Sequence, residues 1–324
     1  MLFDTYTVLT QRFPPGCQSL YGEEIGVETG LWLAIDAQFF PSILFSSNPS
    51  DERSDIELRF IGVQFSRDCQ ITFDSSKTVA GNFTIVRLSE NDPDLVRVFL
   101  RLLDETFCVD GHPRNNRDIG EKILELADLF SRIENSEKDI VGLWGELIII
   151  AQAVSLEMAA RSWCLHKKAK YDFVSDSFAL EVKTTLKPSR EHRFSFEQLR
   201  PNGKLAVSVA SVQVVRTHGG KAVYELMDHI LNEIKDAGLR KVFFNLCLIK
   251  GGEDIYKSVL RLQLLSDQDG IACYAAVDIP VPSIDPELPI SNVKFDVCLD
   301  GIPRQDDLAS QKVLGFTNGG CTHD

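Results

Sequence analysis

Short apolar segments, separated by clusters of Gly, Pro, Asn, Asp and Ser, run through the first 90 residues of the chain. Their length and their β-branched and aromatic content are typical of strands. The pattern predicts strands at 31–37, 56–65 and 83–88. Asp92 followed by Pro93 then predicts a helix start, because Asp caps a helix and Pro fits its first turn. We therefore predict a β-rich N-terminal domain with a closing helix over 1–110.

A helical spacing of apolar residues begins after a polar stretch at 110–117, which we interpret as a linker. Positions three and four residues apart predict two successive helices, each with a buried face. The first carries Ile119, Ile123, Leu126, Ala127, Phe130 and Ile133, and the second carries Ile140, Leu143, Trp144, Leu147, Ile148 and Ala151. We expect the second helix to begin near Ser136, where Ser136 and Asp139 imitate a capping box.

The remainder of the chain mixes strands with helix. The patterns predict strands at 171–174, 178–185, 205–215 and 241–249, a helix at 223–236 ended by Gly238, and later strands at 272–279 and 293–299. A Pro-rich loop at 280–289 separates the last two strands. We therefore expect 117–324 to form a second domain of α+β or α/β class.

The segment 178–185 carries the clearest candidate chemistry. Alternation along a strand places Glu181 and Lys183 on one face. If Asp176 and Ser177 form a two-residue turn, the pairing register sets Asp172 opposite Glu181, with Cβ atoms roughly 5 Å apart. Two facing carboxylates repel each other unless a cation lies between them, and Mg²⁺ prefers such oxygen ligands. Lys183 could then orient or help to deprotonate an attacking water, or stabilise charge on a phosphate.

A glutamate on the predicted helix at 140–151 has unusual neighbours. Glu146 shares a face with Ile149, Ile150 and Ala153, so we expect it to be buried and to need a partner. Two glycines, Gly142 and Gly145, weaken this helix, which suggests that another element or a ligand approaches closely.

These residues resemble the signature of the PD-(D/E)XK nuclease superfamily. The signature is an Asp, then Asp or Glu, one residue, and Lys on neighbouring strands, and it corresponds here to Asp172, Glu181 and Lys183, with Tyr171 in the place of the usual Pro. The superfamily commonly adds a helical Glu, which Glu146 matches. The resemblance implies a restriction-endonuclease-like fold, with a mixed central sheet flanked by helices, and a further metal-ligand role for Glu146.

The ordered set of motifs is more specific than the signature alone. Gly-Leu-Trp-Gly-Glu-Leu, Trp163, Tyr-Asp-Phe, Leu-Glu-Val-Lys-Thr-Thr and Phe-Glu-Gln-Leu together resemble bacterial PD-(D/E)XK motif proteins, which are often associated with restriction or antiphage defence loci. The likeness implies a nuclease that uses Mg²⁺, with Mn²⁺ as an alternative, and DNA as substrate. It is also compatible with other defence-system proteins as partners and with a homodimer.

Positive charge is concentrated around the proposed site. The whole chain has a net charge of −13, whereas 161–204 holds ten Lys and Arg against five Asp and Glu. Affinity for nucleic acid comes largely from such cations, although a run of charge also occurs on ordinary solvated surface. Candidate nucleic-acid contacts are Lys187, Arg190, His192, Arg193 and Gln198. Gln198 matches a glutamine that some superfamily members place beside the site, and an exposed turn residue is its alternative interpretation.

Composition excludes several other classes. The eight cysteines include no Cys-x-x-Cys pair, which argues against a zinc site and a disulfide framework. No apolar run approaches the roughly 20 residues of a membrane span, and the N-terminus lacks a secretory signal, so we expect a cytoplasmic protein without membrane contact.

Two other interpretations stay open at this point. The chain could keep the nuclease fold without turnover, as a DNA-binding or scaffolding subunit of a defence complex. Alternatively, the strand acids could belong to surface ion pairs, which contribute little to stability. Surface ion pairs give no reason for a glutamate on an apolar helix face. The position of Glu146 therefore distinguishes this second alternative from a nuclease-type site.

Overall fold

The computed structural model of the protein describes residues 2–26, 29–51, 53–58, 60–74, 77–109, 115–135, 138–164, 170–175, 178–200, 206–252, 254–266, 269–283 and 292–305. The chain divides into two compact units, Met1–Asn135 and Ser136–Asp324. Within the described residues, every helix is too short or too polar to cross a membrane.

The N-terminal unit is built on one sheet that closes on itself. Its strands are β1 Leu20–Glu24, β2 Leu31–Ile35, β3 Pro41–Ser46, β4 Ile56–Glu57, β5 Ile61–Phe73 and β6 Lys77–Leu88. They pair in the order β1-β2-β3-β6-β5-β4, and β1 also pairs in parallel with β5. This additional pairing joins the two ends of a five-stranded path, which protects edges that would otherwise be free. The predicted β-rich character of this region is confirmed.

Helices complete the N-terminal unit. They are α1 Leu2–Arg12, α2 Pro93–Leu103 and α3 Asn116–Asn135, with a π-helical turn at Asp104–Val109 after α2. The predicted start of α2 is confirmed, because the Asp92 side chain accepts hydrogen bonds from the N–H groups of Asp94 and Leu95. The sequence places α3 in the second domain, whereas the structure groups it with the N-terminal unit. Most of the proposed linker lies outside the described residues.

The C-terminal unit has a mixed central sheet with helices packed against it. Its elements are α4 Ile140–Gln152, α5 Leu156–Cys164, β7 Phe173–Val174, β8 Phe178–Thr185, β9 Glu191–Ser195, α6 Phe196–Leu199, β10 Ala206–Lys221, α7 Val223–Glu233, α8 Ala237–Gly251, α9 Asp254–Lys257, β11 Leu262–Leu264, β12 Ile271–Ala275 and β13 Lys294–Cys298. Strand β8 runs parallel to β10 and antiparallel to β7, and β10 also pairs with β11 and β12. The predicted mixed-sheet fold class is confirmed.

The strand predicted at 241–249 is wrong, because this segment belongs to the helix α8. Its run of apolar residues resembles a buried strand, and short apolar runs do not distinguish the two states. The buried positions reveal the helix, since they recur at spacings of three and four: Leu239, Phe243, Phe244, Cys247, Leu248 and Gly251. Asp236 caps α8, so Gly238 lies in its first turn instead of ending the preceding helix.

Three smaller predictions also need correction. The helix α4 begins at its N-cap Asp139, whose side chain accepts from Gly142 N–H, and Ser136 lies outside the described residues. No strand is predicted between 185 and 205, whereas Glu191–Ser195 forms the strand β9, which pairs with β13. The strand predicted at 272–279 stops at Ala275 and continues as a 3-10 turn.

A glycine allows α4 to lie directly on β8. A Cβ atom added to Gly145 would overlap the side chain of Thr184 on β8. The close approach expected for Gly145 is therefore confirmed, and the neighbouring element is a strand. Because Glu146 is the next residue, this contact also fixes the helix position from which its carboxylate reaches the sheet.

We predict that Gly145→Ala destabilises the protein by about 1–3 kcal/mol, because the added methyl group overpacks the contact with Thr184. Chemical denaturation of the purified variant measures this loss. The double variant Gly145→Ala/Thr184→Ala should recover most of it. Gly219→Ala is the matched control, since Gly219 has open space around its position. An unchanged stability of Gly145→Ala would show that the contact tolerates a side chain.

Candidate metal-binding and nuclease site

The antiparallel pairing of β7 with β8 brings two acidic residues together. Phe173 pairs with Leu180 and Val174 with Ala179, and the same ladder sets Asp172 opposite Glu181, which is the register predicted. The Asp172 Oδ2 atom accepts a hydrogen bond of 2.9 Å from Val182 N–H, so the carboxylate is held against β8. The two predicted turn residues, Asp176 and Ser177, lie outside the described residues.

Glu146 is buried, as its apolar neighbours predict, and it has partners. Glu146 is only 8% exposed. Trp163 donates its indole N–H to Glu146 Oε2 at 2.6 Å. Lys250 Nζ lies 2.7 Å from Oε1 and 2.5 Å from Oε2. A buried carboxylate with such donors is unlike the exposed ion pair of the second alternative.

Lys250 connects this glutamate to the strand pair, and the sequence analysis missed it. Its Nζ atom contacts Glu146 and also lies 3.2 Å from Asp172 Oδ1, so one ammonium group bridges two carboxylates. The strand predicted at 241–249 ends before this residue, whereas Lys250 lies in the last turn of the helix α8. The spacing of Phe243, Phe244, Cys247 and Leu248 is the signal that could have revealed the helix, but not the contacts of Lys250.

A second lysine holds the other glutamate. Lys183 Nζ lies 2.7 Å from Glu181 Oε1, and both residues are on β8. Gln198 donates its side-chain N–H to the same Glu181 oxygen. Ser195 positions this glutamine through a capping box at the start of α6. The structure therefore places Gln198 beside the site, in agreement with the resemblance and not with an exposed turn residue.

The carboxylates carry more negative charge than the two lysines balance. Burial, followed by the negative charge of Asp172, raises the pKa of Glu146 to about 7 and the pKa of Glu181 to about 8. Burial opposes the charge on Lys250, but Glu146 and Asp172 outweigh it and raise its pKa above the ordinary value. The lysine therefore stays charged while the glutamates resist full ionisation.

The donor set fits one divalent ion at the Asp172 and Glu181 carboxylates. Within the described residues, no three Asp, Glu, His or Cys side chains converge on a common metal position. Mg²⁺ does not require three, because it is often bound by one or two carboxylates and keeps several waters. Lys250 links Glu146 to Asp172, and Lys183 contacts Glu181. The structure therefore brings the four predicted residues together as two pairs, Glu146 with Asp172 and Glu181 with Lys183.

A cleft of about 510 Å³ borders the site. Its lining residues include Lys183, Thr184, Lys187, His192, Arg193 and Asp296. Lys183 is 22% exposed and so connects the buried carboxylates with the cleft. Lys187 and Arg193 are exposed and make weak surface pairs with Glu191 at 3.2 Å and Asp296 at 3.8 Å. Both remain accessible to an anionic ligand.

Two of the predicted nucleic-acid contacts, Arg190 and His192, are buried in the C-terminal unit. Arg190 is 1% exposed, and its guanidinium donates to the Ser211 carbonyl at 2.7 Å and to Asp269 O. His192 is buried, with Nε2 2.7 Å from Ser211 Oγ. Arg190 is therefore engaged within the unit, and Lys187 and Arg193 are the exposed basic residues among the predicted contacts.

An acid, a second acid and a lysine on paired strands of a mixed sheet define the PD-(D/E)XK class of site. The chain belongs to the family described as "Putative PD-(D/E)XK family member, (DUF4420)", whose family model matches residues 27–295. The expected superfamily is confirmed by this match. No curated protein and no solved structure matches the chain significantly.

We predict that His192 lowers stability in mild acid. Burial, followed by the charges of Lys183 and Arg190, lowers the pKa of His192 to about 4. Since an unfolded histidine titrates near its ordinary value, the unfolded state binds the proton first as the pH falls. The stability associated with the neutral side chain is complete above about pH 6.5 and is lost toward pH 4, a change of roughly 3 kcal/mol.

Denaturation of the wild type and of His192→Gln between pH 4 and 7 measures this effect. Glutamine does not titrate and can still bond Ser211, so the difference between the two proteins isolates the histidine. The stability difference should change with pH in the stated window. A constant difference would contradict a buried, neutral His192.

Proposed function

We propose that the protein is a metal-dependent nuclease that hydrolyses DNA phosphodiester bonds with Mg²⁺, or alternatively Mn²⁺, in restriction or antiphage defence. One observation carries the proposal: Lys183, which contacts Glu181 opposite Asp172, lines a cleft that exposes further cations. The family supports the nuclease class, and the resemblance to proteins of defence loci supports the setting.

Each site residue has a role in this proposal. Asp172 and Glu181 would hold the divalent ion, which when bound supplies charge that stabilises the developing negative charge on phosphate. Lys183 reaches the cleft from Glu181 and would place its ammonium group beside the phosphate or the attacking water. Gln198 holds the Glu181 carboxylate in position through its hydrogen bond.

Lys187 and Arg193 are the proposed contacts to the DNA backbone. They line the cleft next to Lys183, and their carboxylate partners are exposed and screened by solvent. A phosphate can therefore displace those partners at little cost. Positive charge at this position also explains how a chain of net charge −13 could bind nucleic acid.

A binding function without turnover is the second candidate. Lys250 and Lys183 already neutralise part of the acidic cluster, so the fold does not depend on a metal ion for every carboxylate. In this alternative, the unit binds DNA or docks to other proteins of a defence complex. The cleavage assay separates the two candidates.

We predict cleavage of plasmid DNA that requires Mg²⁺ or Mn²⁺ and stops with EDTA. Asp172→Asn removes a charge that would bind the ion, and Lys183→Met removes the cation that faces the phosphate. Each should lower the rate by roughly 100-fold or more. Gel electrophoresis of supercoiled and linear substrates measures the rate.

Glu157→Gln is the matched control for these variants, because Glu157 makes only an exposed ion pair with Arg161 on α5. It should cleave as the wild type does. Metal-independent DNA binding without cleavage would favour the second candidate. Cleavage that survives in Asp172→Asn would contradict the assigned site.

We predict that Lys187→Ala/Arg193→Ala weakens DNA binding uniformly across sequences. Loss of two phosphate contacts should reduce the slope of log K against log salt by about 2. Fluorescence anisotropy without divalent metal, over a series of salt concentrations, measures the slope. Arg161→Ala, which removes an exposed arginine outside the cleft, is the control. An unchanged slope would place the DNA elsewhere on the molecule.

A further inference from the structure

Lys250 occupies a position between two carboxylates that a metal ion would otherwise suit. Its Nζ atom contacts three carboxylate oxygens, two from Glu146 and one from Asp172, at 2.5 to 3.2 Å. The ammonium group also lies 5.6 Å from the centre of the Trp163 ring, which favours a cation at this point. The local environment is therefore built around a positive charge that the chain itself supplies.

Both oxygens of Glu146 already accept hydrogen bonds. Oε1 accepts from Lys250, and Oε2 accepts from Lys250 and from the indole N–H of Trp163. Lys250 Nζ lies within 2.7 Å of both Glu146 oxygens, so an ion bound there would be repelled by an ammonium group in direct contact, and Oε2 already accepts two hydrogen bonds. Glu146 is thus equipped to hold Lys250 and poorly equipped to ligate a metal ion.

Glu181 differs from Glu146 in this respect. Lys183 and Gln198 both contact its Oε1 atom. From the residues that the structure describes, Oε2 receives no hydrogen bond. Asp172 faces Glu181 across the ladder. Its Oδ2 accepts one hydrogen bond, from Val182 N–H, and its Oδ1 lies 3.2 Å from Lys250 Nζ, the longest of that lysine's contacts, so each oxygen keeps a lone pair for an ion. An ion therefore fits best on the Glu181 side of Asp172.

The formal charges of the cluster agree with a single ion. When all three carboxylates are ionised, Glu146, Asp172 and Glu181 supply three negative charges, and Lys183 and Lys250 supply two positive ones. One divalent ion would change the balance from one negative to one positive charge, which suits a phosphodiester. Two ions would leave a large positive excess in a buried site, at a high electrostatic cost.

We propose that Lys250 is a built-in cation that takes the place of a second divalent ion, so that the site binds one ion beside Asp172 and Glu181. Glu146 and Trp163 hold Lys250 in place and act as positioning residues. Lys250 also sets the orientation of Asp172, since it bonds Oδ1 while Val182 N–H bonds Oδ2. This inference rests on the proposed metal-dependent function and specifies its stoichiometry.

Counting bound Mn²⁺ tests the inference without an activity assay. Electron paramagnetic resonance of free Mn²⁺ during titration of the full chain gives the number of ions per chain. The wild type should bind one ion. Lys250→Met, which keeps the length of the side chain without its charge, should bind two, because Glu146 and Asp172 then lack a counter-ion. Lys77→Met is the matched control, because Lys77 makes an exposed ion pair with Asp74 in the N-terminal unit, and it should bind one ion as the wild type does.

Two further variants keep the test decisive if Lys250→Met fails to fold. Lys250→Arg keeps the charge, and it should bind one ion as the wild type does. Glu146→Gln keeps the size of the glutamate and should also bind one ion, whereas loss of that ion would show that Glu146 is a ligand and overturn the inference.

The counts also separate this inference from the proposed function. Two ions in the wild type, or one ion in a folded Lys250→Met, would overturn the role of Lys250 and leave a metal-dependent nuclease intact. No bound ion in the wild type, at millimolar Mn²⁺ and with DNA present, would instead overturn the metal site and the inference with it.

Discussion

The shared ion pair of Lys250 with Glu146 and Asp172 is the interaction on which the C-terminal unit depends. It joins α4, the residue before β7 and the end of α8, which are remote from one another in the sequence. Carboxylates removed from water are costly unless they are paired and hydrogen-bonded, and loss of one partner leaves a buried charge at a cost of about 3–5 kcal/mol. The three elements must therefore adopt their observed arrangement together. The contact of Gly145 with Thr184 and the hydrogen bond of Val182 to Asp172 set the distances that make this possible.

Stability alone gives no reason to retain such a network. A buried ion pair is often no more stabilising than apolar side chains of the same volume, because desolvation offsets the attraction between the charges. Glu146 lies on a helix whose other side chains between Leu143 and Ile150 are apolar and buried, so an apolar residue would suit its position in the core. The charges are better explained by chemistry at the neighbouring strand pair, where Lys183 reaches the cleft.

The sequence predicted the strand pair better than the helices around it. Alternation and a two-residue turn were sufficient to set Asp172 opposite Glu181, because both are local features of a hairpin. Burial of Glu146 followed from its apolar neighbours. Lys250 and the pairing of Gln198 with Glu181 depend on contacts between distant segments, which periodicity does not encode. The run at 241–249 was misassigned because its apolar residues satisfy both a buried strand and a helix face. Arg190 was predicted as a nucleic-acid contact because it is a basic residue near the site. It is instead buried, and it donates hydrogen bonds to the Ser211 and Asp269 carbonyls.

The charge of the site and the charge of the whole chain act at different ranges. A net charge of −13 repels nucleic acid at a distance, and salt reduces this repulsion beyond about 8–10 Å. Inside the cleft, Lys183, Lys187 and Arg193 lie close enough to act directly on a phosphate. In the proposed nuclease, DNA binding would require a close fit to the cleft, because non-specific approach elsewhere on the acidic chain is unfavourable. Burial, followed by the charge of Asp172, raises the pKa values of Glu146 and Glu181, so negative charge in the cluster is unfavourable before any ligand arrives. In the proposed nuclease, a divalent ion would relieve this unfavourable charge at the point where the phosphate needs a positive charge, so metal and substrate would favour each other's binding.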